Sequence, residues 1–198
     1  MREFYALVDR MNAAPAETRP QVERELRERF EVEKAVFALD MSGFSLTVRR
    51  EGILAYLGMI RRMQLITTPI IATHGGDIVK HEADNVLAVF DETASAVRAG
   101  LEIQAQLLAQ TGDRPIRVSI GIDFGRFLHV PGRDCFGDAV NTAFKLGEDL
   151  ADAGELLITR CARDHLDPAL RATVSIDDMT LSISGLEIAA ARVRERGD

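Results

Sequence analysis

Between residues 34 and 122 two hydrophobic periodicities alternate, and that alternation narrows the fold more than any other feature of the chain. "KAVFALD" is a continuous apolar run ending at Asp40, as a buried strand would be. "MSGFS" is turn-like, and residues 48–66 then repeat apolar side chains at helical spacing, with Ile53, Leu57 and Ile60 on one face. "GGDIVK" and "NVLAVF" read as two strands, the Gly-Gly-Asp at 75–77 as the turn that enters them. A second helix spans 93–110, where Val97, Leu101 and Leu108 share a face and Gly112 closes the pattern; "IRVSIGID" is a further strand. The order β-α-β-β-α-β predicts an α+β fold with a ferredoxin-like core and helices on one face of its sheet.

Extra elements follow this core. "FGRFLHVPG" reads as a hairpin, residues 138–151 as a third helix with Asp138 as N-cap after Gly137, and "ELLIT" as a strand. A short helix is expected near "CARDHL", then strands "ATVSI" and "TLSIS" around Asp177-Asp178. At the other end, "NAAPAETRP" breaks the chain, and "QVERELRERF" is a charged helix with Val22, Leu26 and Phe30 at four-residue spacing. That helix suits either solvent with one packed stripe or a connector to a partner or regulatory domain; the first reading is preferred. The expected division is a helical segment over 1–33, the main domain over 34–190 and a tail over 191–198.

Composition removes several classes. A length of 198 residues favours one domain. The net charge of −7 argues against a general nucleic-acid surface but leaves room for a local phosphate site. No apolar run approaches the roughly 20 residues a membrane span needs, and "MREFYALVDR" is no signal peptide. Cys135 and Cys161 lack metal-ligand spacing, so a reduced, cytoplasmic chain is expected.

The stretch "IVKHEADNVLAVF" poses the functional question. A hairpin turn needs only Gly, Asn or Asp, yet this gap carries Lys80, His81, Glu82 and Asp84. In a β-α-β-β order the first and third strands lie side by side, so their ends bring Asp40 and Asp84 toward one site. Beside them "MSGF" offers backbone N–H groups leading into a helix. Two carboxylates with such donors suit hard cations and phosphates. Taken singly, each Asp reads equally well as a strand end or a turn residue.

Four segments together carry a resemblance. "FALDMSGFS" resembles the first metal-binding motif of class III nucleotidyl cyclases, the adenylyl/guanylyl cyclase catalytic domain, and "KHEAD" resembles the hairpin bearing the second metal Asp. "IRVSIGIDFG" is similar to that family's central strand and "DCFGDAVNTAFKL" to its signature helix entry; the likeness covers roughly residues 34–187. It implies that Asp40 and Asp84 hold two Mg²⁺ or Mn²⁺ ions, with Gly43 and Phe44 at the substrate. Lys80 and Asp134 would read the purine, Asn141 would orient the ribose, and Lys145 would stand where the family has a transition-state Arg. Spacing selects Lys80 over Glu82, four residues before Asp84, and Asp134 over Cys135, seven before Asn141. A Lys donor with an Asp acceptor suits adenine, which offers a ring-nitrogen acceptor and an exocyclic amine donor. His81 and Glu82 are left as solvated turn residues.

Three positions depart from the family pattern: Lys145 replaces the Arg, Ser184 stands where a phosphate-contacting Lys is usual, and Ala83 replaces the Gly before the second metal Asp. The expected function is an adenylyl cyclase that converts ATP to cyclic AMP and pyrophosphate at a homodimer interface, slowly. The alternative is a degenerate cyclase-like domain that binds nucleotide or metal as a sensor or dimerisation module.

Overall fold

The structure, a computed structural model, describes residues 1–110, 116–183 and 185–197, with the side chains of 44–47 and 186 outside that set. Gly112 and Ser184, read above as a helix stop and a substituted phosphate contact, therefore lie outside the described residues, as does the side chain of Phe44.

Two helices, α1 (Arg2–Ala13) and α2 (Arg19–Phe30), precede strand β1 (Glu31–Met41). Then come α3 (Phe44–Glu51), α4 (Ile53–Thr73), the hairpin strands β2 (Gly76–Glu82) and β3 (Asn85–Phe90), α5 (Thr93–Leu108) and the long strand β4 (Val118–Val130). A three-residue strand β5 (Asp134–Phe136) leads into α6 (Asp138–Phe144) and a π-helical turn over Lys145–Leu150. Strand β6 (Leu156–Thr159), α7 (Arg160–Asp164), α8 (Pro168–Thr173), β7 (Val174–Ile183) and β8 (Leu186–Glu195) complete the chain. The sheet order is β2-β3-β1-β4-β6-β8-β7, with β5 paired to β4. Its first four strands are the expected ferredoxin-like core, and β1 pairs antiparallel with both β3 and β4.

The core helices α4 and α5 share one face of the sheet, as expected, and the appended α6 covers the other. Phe37, Leu39, Phe90, Ile120 and Ile122 pack on the side of α4 and α5. Val36, Ala38, Leu87 and Val89 face Ala139, Val140 and Ala143 of α6. Alternation along β1 produces this: successive side chains point to opposite faces, and both sets are apolar.

Several expectations need correction. Helix α4 starts afresh after Gly52, whose φ of 85° breaks it from α3, so its phase differs from a single helix over 48–66. Tyr56, Met59, Ile60 and Met63 form the buried face, while Ile53 and Leu57 are 51% and 50% exposed. On α5, Val97 and Leu101 are buried, but the terminal Leu108 is 64% exposed and Leu107 is buried instead. Residues 124–130 continue β4, and the hairpin falls at 131–133. Asp138 lies in the first turn of α6; the N-cap is Gly137, in extended backbone. The two strands expected around Asp177-Asp178 are one strand, Val174–Ile183, paired with β8, which runs on to Glu195.

Candidate active site

The β1–β3 register sets the geometry. Leu39 faces Val86, so the next positions outward are Asp40 on one strand and Asn85, then Asp84, on the other. The β2–β3 turn holds just Ala83 and Asp84, and Ala83 takes a left-handed φ of 51°. Burial raises the Asp40 carboxyl to about 7, with the charges of Asp84 and Glu148 adding to the effect. Asp84 is held from below: the buried Tyr56 hydroxyl donates to its Oδ2 at 2.6 Å. Asn85 Nδ2 donates to Glu148 Oε1 at 2.7 Å, and burial followed by Asp149 and Asp84 raises the Glu148 carboxyl. Tyr56 and Glu148 escaped the sequence reading. Only a helix phase reset by Gly52 and a π-helical turn after α6 place them here.

That turn depends on two glycines. A Cβ on Gly121 would overlap the Ala143 carbonyl and the Gly147 amide, and one on Gly147 would press on the Ala38 carbonyl. Close backbone approach lets the turn lie across β1 and β4, and π-helical segments are frequent at functional sites. Gly43 caps α3 in the left-handed region at φ 91°, and the preceding Ser42 N–H donates to the Arg117 carbonyl at 3.0 Å.

A second group gathers at β2 and β5. Lys80 Nζ lies 3.2 Å from Asp134 Oδ1 and 3.2 Å from Glu82 Oε2. Burial pulls the Lys80 ammonium down, but contacts with Glu82 and Asp134 outweigh it and leave the net shift upward. A register shift between Ile78 and Lys80 accompanies this placement. Strand alternation turns Cys135 into the core beside Val36 and Leu87, and burial pushes its thiol up to about 12. Glu82 is mostly exposed; His81 is exposed at the turn, and partial desolvation of its ring, then the charge of Arg61, lowers its pKa.

Asn141 and Lys145 line a third region, a cleft of about 730 Å³ with Asp123, Asp138, Glu148 and Arg160 on its walls. Asp123 is buried, accepts from Thr159 Oγ1 and from the Phe124 N–H at 2.8 Å, and has its carboxyl raised chiefly by burial. Within one chain the predicted residues thus fall into three groups: Asp40 with Asp84, Lys80 with Asp134, and Asn141 with Lys145.

Among the described residues no trio of His, Cys, Asp or Glu converges to hold a metal by itself. The donor set nonetheless fits a hard divalent cation. Asp40, Asp84 and Glu148 are oxygen donors whose mutual repulsion a cation would relieve, and Mg²⁺ commonly takes one or two carboxylates plus substrate phosphates.

The chain matches no protein-family profile and no curated protein sequence. Solved structures do match. An adenylate/guanylate cyclase/hydrolase from Silicibacter pomeroyi is 27% identical, with TM-score 0.68, covering 82% of this chain and 96% of that one. An adenylate cyclase from Trypanosoma brucei, in its monomeric state, is 16% identical with TM-score 0.73, covering 81% and 87%. The guanylate cyclase domain of RhGC from Catenaria anguillulae, solved with GTP, is 20% identical with TM-score 0.71, covering 84% and 99%. The chain has the fold of class III adenylyl/guanylyl cyclase catalytic domains, the family its four motifs resemble. Among the described residues no helix is long and apolar enough to cross a membrane.

Proposed function

We propose that this chain is an adenylyl cyclase that converts ATP to cyclic AMP and pyrophosphate in a site shared by two copies of itself. The observation that carries the reading is the pairing of Asp40 with Asp84: on a nucleotidyl cyclase fold, the β1–β3 register joins them into one acidic cluster with Asp40 raised to about 7. The reaction forms the ribose O3′–Pα bond and breaks the bond from Pα to the bridging oxygen. The hydroxyl proton passes to solvent and pyrophosphate leaves with the electron pair.

Asp40 and Asp84 hold the divalent ions, two Mg²⁺ or Mn²⁺, and Tyr56 fixes the Asp84 carboxylate through its 2.6 Å hydrogen bond. The ions, when bound, supply Lewis acidity for the 3′-hydroxyl and charge neutralisation for the phosphates. The backbone at Gly43 and Phe44 borders the phosphates. Lys80 donates to an adenine ring nitrogen and Asp134 accepts from the exocyclic amine, a reading that their 3.2 Å contact supports. Asn141 orients the ribose, and the Lys145 ammonium, a point charge in place of a planar fork, offsets charge at the α-phosphoryl. The resemblance to the cyclases supports a shared site, in which Asp40 and Asp84 of one copy work with Lys80, Asp134, Asn141 and Lys145 of the other.

The substitutions at Lys145 and Ser184 favour a second reading, a nucleotide- or metal-binding module without turnover. Mixing variants separates the two. Asp40→Ala and Asn141→Ala proteins, each inactive, regain cyclic AMP formation when mixed, since one heterodimer site is intact, and ATP outcompetes GTP. No recovery in a mixture shown to exchange subunits contradicts the shared site, and cyclic GMP as main product reverses the base assignment.

A further inference from the structure

Resting on the cyclase reading, we infer that Arg160 is the phosphate-binding guanidinium of the Asn141–Lys145 cleft and grips the departing pyrophosphate. A polyphosphate needs cations, and the pattern around this cleft is short of them. Its walls carry the carboxylates of Asp123, Asp138, Glu148, Asp149 and Glu187, against which the only cations among the described lining residues are Lys145 and Arg160. Lys145 contributes a point charge. Arg160 offers the one guanidinium, whose planar donors match two phosphate oxygens at once.

The local structure fixes where that guanidinium starts and leaves its end free. Arg160 directly follows Thr159, the buried last residue of β6, which pairs with Ala190 of β8. Parallel pairing of Ile122 with Ile158 ties the same strand to β4. The Thr159 hydroxyl accepts from the Ala162 N–H at 3.1 Å and donates to Asp123, so the backbone on either side of Arg160 is pinned. The Arg160 side chain is exposed at the cleft, and among the described residues it makes no ion pair. Neighbouring arginines differ: Arg163 pairs with Asp178, Arg192 with Glu155 and Arg194 with Asp177. An unengaged arginine on a rigid mount, facing the same cleft as Asn141 and Lys145, is placed to receive an anionic ligand and to offset the repulsion of the lining carboxylates. As the bond from Pα to the bridging oxygen breaks, negative charge grows on the leaving pyrophosphate, and a guanidinium there lowers the barrier more than it strengthens ATP binding.

The test separates this inference from the reading beneath it by using pyrophosphate itself as probe. Calorimetry in EDTA compares pyrophosphate binding by the parent, Arg160→Ala and Arg160→Lys, with thermal melts confirming the fold. Expected is a loss of about tenfold in affinity for Arg160→Ala and partial retention for Arg160→Lys. With ATP and Mn²⁺, Arg160→Ala lowers kcat by at least about tenfold and changes KM less. Arg160-dependent pyrophosphate binding in a parent that makes no cyclic AMP keeps the inference and removes the cyclase reading. Equal pyrophosphate affinity in parent and Arg160→Ala, or none in the parent, overturns the inference whatever the turnover.

Discussion

Asp40 is the carboxylate that its surroundings perturb most, and pH reads that perturbation. Its carboxyl sits at about 7 in the fold, against about 3.9 in an unfolded chain. Between those values the folded protein keeps a proton that the unfolded one has released. Its contribution to stability is therefore complete below about pH 4 and is lost as pH rises through 7. In EDTA, the melting temperature of the parent falls relative to Asp40→Asn between pH 5 and 8, and Mn²⁺ restores the parent but not the variant at pH 8. Melts that run parallel across that range contradict the assignment. Tyr56 gives a second residue-scale prediction. Tyr56→Phe removes the hydrogen bond to Asp84, costs about 1 kcal/mol in melts or denaturant titrations, and weakens Mn²⁺ binding. Asp40 and Asp84 were legible as a pair because each lies inside a motif with fixed spacing. Tyr56 was not, since nothing in "ILAYLGMI" distinguishes a tyrosine holding a carboxylate from one filling the core.

At the scale of elements, the apolar runs of β1 and β3 were legible because both faces of the sheet are buried and the runs are unbroken. What escaped was whatever tertiary contact decides. Residues 138–151 read as one helix, but the close approach of Gly121 and Gly147 accompanies a switch to π geometry after Phe144, and that switch presents Glu148 to Asn85. Restoring a side chain at the crossing tests this. Gly121→Ala destabilises by at least about 2 kcal/mol in denaturant titrations, because its methyl meets backbone that cannot rotate away. A near-neutral result contradicts the packing. The β2–β3 hairpin predicts the opposite sign. Ala83 pays for a left-handed φ of 51°, so Ala83→Gly raises stability by about 0.5–1 kcal/mol, after allowing for the greater freedom of unfolded Gly.

For the molecule as a whole, the N-terminal helices are part of one packed body. Phe4 stacks on Phe136 with ring centroids 5.2 Å apart and meets Phe30 edge-on at 5.2 Å. With Leu7, Leu26 and Val130 they form a cluster against the β4–β5 hairpin that carries Asp134. The four-residue spacing of Val22 and Leu26 announced a packed stripe; its partner, the end of β4, had no signature in the sequence. Removing residues 1–30 uncovers Leu128, Val130 and Phe136, so the melting temperature drops and nucleotide binding weakens through the displaced β5. An unchanged melting temperature contradicts that packing. The central claim, that this fold still turns ATP over, rests on product formation. Purified protein is incubated with ATP and Mn²⁺, and the nucleotide products are identified by mass spectrometry beside an Asp84→Asn control. The account predicts slow accumulation of cyclic AMP and pyrophosphate from the parent and none from Asp84→Asn. A parent that is folded, dimeric and binds ATP, yet forms no cyclic nucleotide, contradicts it.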